Sequence, residues 1–169
     1  MIIGLISDTH GNKTQMRRAL KTLEKTDCIL HAGDLYKDAL WMKTHYQGDI
    51  FPVTGNGDPE EAGPHERVLK MDGLSILLCH GHRHYLYSGL THLYYHGMEK
   101  KAEVVIFGHT HVPAFVNEGL IMINPGSASR SRSEMGNTCA LLHTTPTPEL
   151  IVTNIDTGKI VARKSFAIG

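Results

Sequence analysis

No stretch of this 169-residue chain approaches the roughly 20 consecutive apolar residues that a membrane-spanning helix needs. Charge of one sign is also missing: 17 Lys and Arg stand against 17 Asp and Glu. That balance argues against a protein held on long nucleic acid, or on an anionic membrane surface, mainly by a basic face. A small phosphorylated substrate is not excluded. Cysteine is scarce and unpaired in pattern: Cys28, Cys79 and Cys139 form no C-x-x-C motif and no disulfide framework, which fits a reducing compartment. The start, Met1 to Asp8, lacks the basic segment and long apolar stretch of a secretory leader, so a cytoplasmic location is expected. Internal repeats and long linkers are absent as well. The expectation is one domain over residues 1–169, a length that buries a substantial core. What is abundant is histidine, with 12 residues, a side chain suited to transition metals and proton transfer.

Short apolar runs alternate with helical patterns in the first half. Ile2 to Ser7, Cys28 to Ala32 and Ile50 to Thr54 read as buried strands, and Thr14 to Lys25 and Ala39 to Tyr46 as helices. This βαβαβ order favours a largely parallel sheet with covering helices. The second half is richer in strand. Glu66 to Met71 and Leu74 to Cys79 flank the turn pair Asp72-Gly73, and Ala114 to Asn117 and Leu120 to Ile123 flank Glu118-Gly119, so two hairpins are predicted. Tyr87 to Lys101 reads as a helix and Val104 to Phe107 as a strand. Thr138 to Leu142, Leu150 to Ile155 and Ile160 to Phe166 read as closing strands. The fold class is therefore α/β, with two packed sheets and helices outside.

One pattern recurs where the strands stop: an Asp, Asn or His comes at once. It happens at Asp8 and His10, at Asp34, at Asn56, at His80, and at His109 and His111. In open α/β sheets, ligands bind beyond the carboxyl ends of strands. The i, i+2 spacing of Asp8 with His10, and of His109 with His111, places each pair on one side of an extended segment. Seven oxygen and nitrogen donors exceed the needs of one four-coordinate ion. They suit two ions roughly 3.5–4 Å apart, bridged by a carboxylate. Carboxylate, amide and imidazole together favour Mn²⁺, Fe²⁺ or Zn²⁺ over Ca²⁺. Taken singly, Asp8, Asp34 and Asn56 serve equally well as helix caps or turn residues. Capping does not call for the four histidines that accompany them.

In order, Asp8-x-His10, Gly33-Asp34, Gly55-Asn56-x-Asp58, His80 and Gly108-His109-x-His111 resemble the signature of the calcineurin-like metallophosphoesterases. The short chain, His80-Gly81-His82 and Asn124-Pro125-Gly126-Ser127 resemble their small bacterial and archaeal phosphodiesterase branch, called YfcE-like. The likeness spans Asp8 to Ser127. It implies a four-layer α/β/β/α sandwich of two mixed sheets, and phosphoester hydrolysis by a hydroxide held between two divalent ions. Those ions are expected to be manganese, with iron, zinc, nickel or cobalt as alternatives. By position, Asp8, His10 and His111 would hold one ion, Asn56, His80 and His109 the other, and Asp34 would bridge them.

The chain departs from that family at Gly57, where many members carry a histidine that protonates the leaving group. Phosphodiesters and activated esters, whose leaving groups need less help, are therefore favoured over alkyl monoesters. His82 or His84 is a candidate replacement proton donor, and Asp58 a candidate to orient a ligand. Arg130 and Arg132 suit bidentate phosphate contact, although a Ser/Arg-rich loop is commonly just solvated. His31 reads as a strand residue behind the ligands, and His45, His65, His92, His96 and His143 as ordinary histidines. Two alternatives stand beside the phosphodiesterase reading. One is a phosphomonoesterase or nucleotide hydrolase using the same residues. The other is a non-catalytic protein-interaction scaffold, since a subunit of the eukaryotic retromer coat resembles this fold. The expected partner is a small phosphodiester or nucleotide-like substrate, without membrane or long nucleic acid, and the resemblance suggests a homodimer or larger assembly.

Overall fold

The structure is a computed structural model, and it describes residues 1–145 and 147–167. Six strands form one sheet: β1 (Ile2–Ile6), β2 (Cys28–His31), β3 (Asp49–Pro52), β9 (Thr138–His143), β10 (Glu149–Asn154) and β11 (Ile160–Ser165). Their spatial order is β11-β10-β9-β1-β2-β3. Five more, β4 (Glu66–Met71), β5 (Leu74–Cys79), β6 (Val104–Ile106), β7 (Ala114–Asn117) and β8 (Ile121–Asn124), form the second sheet in the order β4-β5-β6-β8-β7. Both sheets are mixed. β1, β2 and β3 run parallel in the first, β5, β6 and β8 in the second, and the remaining pairs are antiparallel.

The period-2 alternation of strand side chains accounts for the layering. Ile3 and Leu5 of β1, Ile76 and Leu78 of β5, Val104 and Ile106 of β6, and Ile121 and Ile123 of β8 meet in one cluster between the sheets. Their neighbours in sequence face outward. Ile6, Ile29 and Cys139 pack under the helices α1 (Lys13–Thr22) and α2 (Tyr36–Lys43). Leu77, Val105, Phe107 and Met122 pack under α3 (Thr91–Glu99). The result is the expected α/β/β/α sandwich. Among the described residues no helix is long and apolar enough to cross a membrane.

The helices differ in extent from their sequence expectation, for local reasons. α1 begins after Asn12, whose side-chain oxygen accepts from Gln15 N–H at 3.1 Å, and buries Met16, Ala19 and Leu20. It stops three residues earlier than expected, and the Thr26 hydroxyl donates to Leu23 O just beyond it at 2.7 Å. α2 starts at Tyr36 rather than Ala39 because Asp58, from another loop, accepts the Tyr36 N–H at 2.7 Å. α3 is shorter than the predicted 87–101. Tyr85 (φ 52°) and Gly89 (φ 114°) break its start into the 3-10 turns His82–His84 and Leu86–Ser88.

Candidate metal centre

The two sheets present the carboxyl ends of six parallel strands to one end of the molecule, and every metal-ligand candidate lies in the loops beyond them. Those loops are held in an uncommon backbone form. Asp8, His10, Asp34, His109 and His111 have φ of 54°, 46°, 52°, 69° and 63°. Each such non-glycine residue costs on the order of 1–3 kcal/mol and persists only where its surroundings enforce it. The enforcement is visible. Asp8 N–H donates to Gly33 O at 2.9 Å, and Ser127 and Ser129 hydroxyls donate to Asp8 O at 2.9 and 3.2 Å. Buried Asn124 donates to Gly108 O at 2.8 Å and accepts from Gly126 N–H at 2.8 Å. A Cβ on Gly108 would strike the Ser7 hydroxyl, so this strand end must be glycine to lie against Asp8.

Two carboxylates anchor the cluster. Asp8 is fully buried; its Oδ2 accepts from the Ser7 hydroxyl at 2.6 Å and from His109 N–H at 3.1 Å. Its Oδ1 has no hydrogen-bond partner among the described residues, yet lies 3.1 Å from His111 Nε2 and 3.9 Å from His80 Nε2. Asp34 Oδ1 accepts from Gly57 N–H at 2.6 Å, and its Oδ2 is 3.4 Å from His10 Nδ1. Donor atoms of Asp8, His10 and His111 gather within 4.8 Å of one another, and so do those of Asp8, Asp34 and His80. Asn56 Oδ1 is 3.2 Å from His80 Nε2. His109 joins neither group of three; its ring centroid is 5.2 Å from that of His80, and it lines the same cleft.

The proton inventory of the rings tests whether a cation fits. His80 Nδ1 donates to Ala32 O and His111 Nδ1 donates to Arg130 O, each at 2.7 Å. A neutral imidazole has one ring proton, so each Nε2 then carries a lone pair. That lone pair points at a further acceptor, Asn56 Oδ1 for His80 and Asp8 Oδ1 for His111, and the His111 Nε2 also lies 3.2 Å from His10 Nε2. Acceptors facing acceptors in a buried place need a proton or a cation between them. Burial works to raise the Asp8 carboxyl, but His111, His80 and Ser7 prevail and hold it below the usual range. The Asp8 carboxylate raises His111. Burial lowers His10 against the pull of Asp34 and Asp8, and lowers His109 with help from His80. The donor set therefore fits divalent ions.

The other candidates separate into wall and support. Arg130 and Arg132 line the cleft with His10, Asp34, Asn56, Tyr87, His109 and His111, around a volume of about 320 Å³. Arg132 donates to the Tyr87 hydroxyl at 2.8 Å, and the Tyr87 ring stands 5.2 Å from His109. Sequence does not separate Tyr87 from Tyr85, Tyr94 and Tyr95, which carry the same aromatic signal. Asp58 does not line the cleft. Its two oxygens accept Gly55 N–H at 2.8 Å and Tyr36 N–H at 2.7 Å, so it shapes the Asn56 turn and caps α2. His82 packs beside His80 and His109, with centroids 5.4 and 6.2 Å away. Burial pushes its imidazole down to about 4, aided by His80 and Arg83, and a ring neutral at pH 7 is a poor acid for a leaving group. His84 turns away toward α3, its ring 4.7 Å from His96. A Cβ at Gly57 would stand 2.6 Å from Asp34 Oδ1, so any side chain there would displace that carboxylate.

Support from behind is only partly legible in the sequence. His31 is fully buried, accepts from Gly33 N–H at 3.2 Å through Nδ1, and so donates from Nε2 to the Thr9 hydroxyl at 3.2 Å. Thr9 passes the bond to Asp38 at 2.7 Å, and Asp38 also accepts Gly11 N–H at 2.6 Å. The 8–12 loop is thus tied to α2 through a chain that no spacing rule reveals.

A four-layer sandwich with Asp and His donors at the strand ends is the architecture of a metal-dependent phosphoesterase. The model of the calcineurin-like phosphoesterase superfamily domain matches residues 1–147, and the chain belongs to that family. A probable metallophosphoesterase of Bacillus subtilis is 32% identical over 144 residues, covering 84% of this chain and 83% of the relative. A phosphodiesterase of Methanocaldococcus jannaschii is 27% identical over 146 residues, covering 75% of this chain and 83% of the relative. The crystal structure of a predicted phosphoesterase from Streptococcus pneumoniae superposes with a TM-score of 0.82 at 26% identity, covering 98% and 96% of the two chains.

Proposed function

We propose that this phosphoesterase is a phosphodiesterase working with two divalent ions, manganese first among them, in the cytoplasm. The observation that carries the reading is the buried, unpartnered Asp8 Oδ1 facing the Nε2 atoms of His111 and His80. Asp8, His10 and His111 would hold one ion, and Asn56, His80 and His109 the other. Asp34 would serve both, since it approaches His10 and belongs to the group of Asp8 and His80. When bound, such ions supply a hydroxide near neutral pH and offset charge on the phosphoryl oxygens.

The residues of this chain do the rest. The carbonyls of Ala32 and Arg130 hold the rings of His80 and His111 so that Nε2 faces inward, and the Gly57 N–H holds Asp34 in place. Arg130 and Arg132 stand on the cleft wall, where a guanidinium can take two phosphoryl oxygens at once. No side chain at position 57, and no charged His82 at neutral pH, offers a proton to the departing oxygen. Gly57 and a neutral His82 thus favour leaving groups tolerable as anions, diesters of nucleotides or phenols over simple alkyl monoesters. The phosphodiesterase named among the relatives supports the same substrate class. The buried, free Cys28, Cys79 and Cys139 suit a reducing compartment.

The test is hydrolysis of bis-p-nitrophenyl phosphate beside p-nitrophenyl phosphate, by chelator-stripped protein with and without Mn²⁺. Metal-restored cleavage of the diester, with little of the monoester, is the expected result. Equal or faster monoester cleavage would overturn the substrate assignment. Cleavage that survives chelation would overturn the metal assignment.

A further inference from the structure

A second set of metal donors lies away from the cleft and shares no residue with it. Glu66 on β4, His84 in the turn after β5, and His96 on α3 bring one donor atom each to within 4.8 Å of one another. We propose that Glu66, His84 and His96 form a separate site for a single divalent transition-metal ion, Zn²⁺ in the first instance, tying β4, the His82–His84 turn and α3 together.

The geometry supports this. The donors are set by different elements, so their meeting is tertiary and not a by-product of helix spacing. His84 and His96 lie with ring centroids 4.7 Å apart and planes 35° apart, and Glu66 Oε2 is 2.6 Å from His96 Nε2. Glu66 is also restrained from behind. Lys100 holds the other Glu66 oxygen at 2.7 Å, which leaves Oε2 turned to the rings. His96 Nδ1 lies 3.8 Å from Glu99 Oε2, beyond hydrogen-bond reach, though a small movement of the exposed Glu99 would close the gap. All three residues are half-buried, so an ion can enter while water completes its shell. The His84 side chain makes no hydrogen bond among the described residues, so its ring nitrogens are free to take an ion where it packs against His96.

The chemistry of the set selects the ion. Two imidazoles and one carboxylate are a donor combination that zinc uses when it keeps an open position. Imidazole suits Zn²⁺, Cu²⁺ and Ni²⁺, and divalent manganese binds such a set more weakly. Donor distances of roughly 2.0–2.2 Å to zinc require Glu66 and His96 to part by less than about 1 Å, within reach of two side chains at the surface. The ring proton now between them would pass to Nδ1 on binding, which leaves the Nε2 lone pair to the ion. His92, one turn earlier on α3, packs instead on Tyr85 with centroids 5.4 Å apart and is not one of the ligands.

The experiment titrates ZnCl₂ into chelator-stripped, full-length protein, and into its His84→Gln, His96→Gln and His84→Gln/His96→Gln variants. Bound zinc per chain is counted after gel filtration, and affinity is read by competition with a chromophoric chelator. The wild type should hold one equivalent more than each variant. The double variant should match the singles, and the missing equivalent should bind at least tenfold more weakly wherever it is detectable. Any ions in the cleft contribute equally to all four proteins, so the difference reports this site whether or not the cleft reading holds. Equal zinc in wild type and variants would overturn the proposal. Should His96→Gln lose the Glu66 tie and unfold, His84→Gln decides alone, because it removes a donor without removing a hydrogen bond.

Discussion

Two carboxylates in left-handed turns sit at opposite ends of this fold, and their fates differ. Asp72, at φ 50° in the β4–β5 hairpin, stands beside the amino ends of β1 and β5. It is partly exposed, and its Oδ2 takes the Met1 ammonium at 3.2 Å and the Thr144 hydroxyl. Asp8, at φ 54°, stands at the carboxyl end of β1. It is wholly buried, and one oxygen faces imidazole nitrogens with no hydrogen bond. The residue type and backbone form are the same. At one end local partners satisfy the side chain, and the turn merely joins strands. At the other, hydrogen bonds enforce the strained backbone and satisfy one carboxylate oxygen, while the second oxygen is left facing imidazole nitrogens, an arrangement that suits a charged ligand. A left-handed Asp is thus ordinary turn chemistry until its partners are counted.

The largest test of this contrast removes ligands at each end. Asp34→Asn and His80→Ala should each lower diester turnover by about 1000-fold or more, since several kcal/mol of charge stabilisation are lost. Asp72→Asn should leave turnover unchanged and cost only a little thermal stability. Near-normal rates in both cleft variants, with bound metal verified, would erase the distinction.

A second test uses acid. Burial pushes the His31 imidazole down to about 4, against an ordinary 6.5. The unfolded chain then takes up a proton first, so stability is complete above about pH 6.5 and falls as pH drops toward 4. The loss attributable to His31 is on the order of 3 kcal/mol. Denaturant titrations of wild type and His31→Gln at about pH 7 and about pH 4.5 should show a shallower decline in the variant. Parallel curves would remove His31 from the account of how the cleft loops are held.

Arg130→Ala and Arg132→Ala should raise KM by roughly tenfold each while changing kcat less, as expected for charge-assisted hydrogen bonds to bound phosphate. Unchanged kinetics would return that loop to plain solvation. The smallest effect compares strain directly. Lys101 ends α3 at φ 55°, where the Ala102 N–H closes onto Gly97 O at 3.0 Å. Lys101→Gly should stabilise the protein by about 0.5–1 kcal/mol with activity unchanged. His10→Gly relieves the same kind of strain at φ 46° but should abolish turnover. Calorimetry beside the diester assay separates the two outcomes.

Much of the site is legible in the sequence because apolar runs stop abruptly, and each stop gives way to a residue that carries chemistry. Asp8, His10, Asp34, Asn56, His80, His109 and His111 all fall at such stops, and the structure brings them to one end of the sandwich. Legibility ends where a partner comes from elsewhere in the chain. α2 begins at Tyr36 because Asp58 reaches it across 22 residues, which no helix-start rule on residues 36–46 detects. Through that bond and the one from Gly55 N–H, Asp58 braces the turn that carries Asn56. α3 starts late because Gly89 interrupts a run whose apolar spacing alone looks continuous. Tyr87 on the cleft wall, and the meeting of Glu66 with His84 and His96, are tertiary coincidences that local pattern does not encode.

We propose that the loops at the buried end of β1 hold two ions. That occupancy is tested most directly by an anomalous difference map from a crystal of the full chain soaked in Mn²⁺. Two peaks roughly 3.5–4 Å apart are predicted. One should lie against Asp8, His10 and His111, the other against Asn56, His80 and His109, with Asp34 between them. A cleft with one peak, or with none while the loops keep their conformation, would contradict the account.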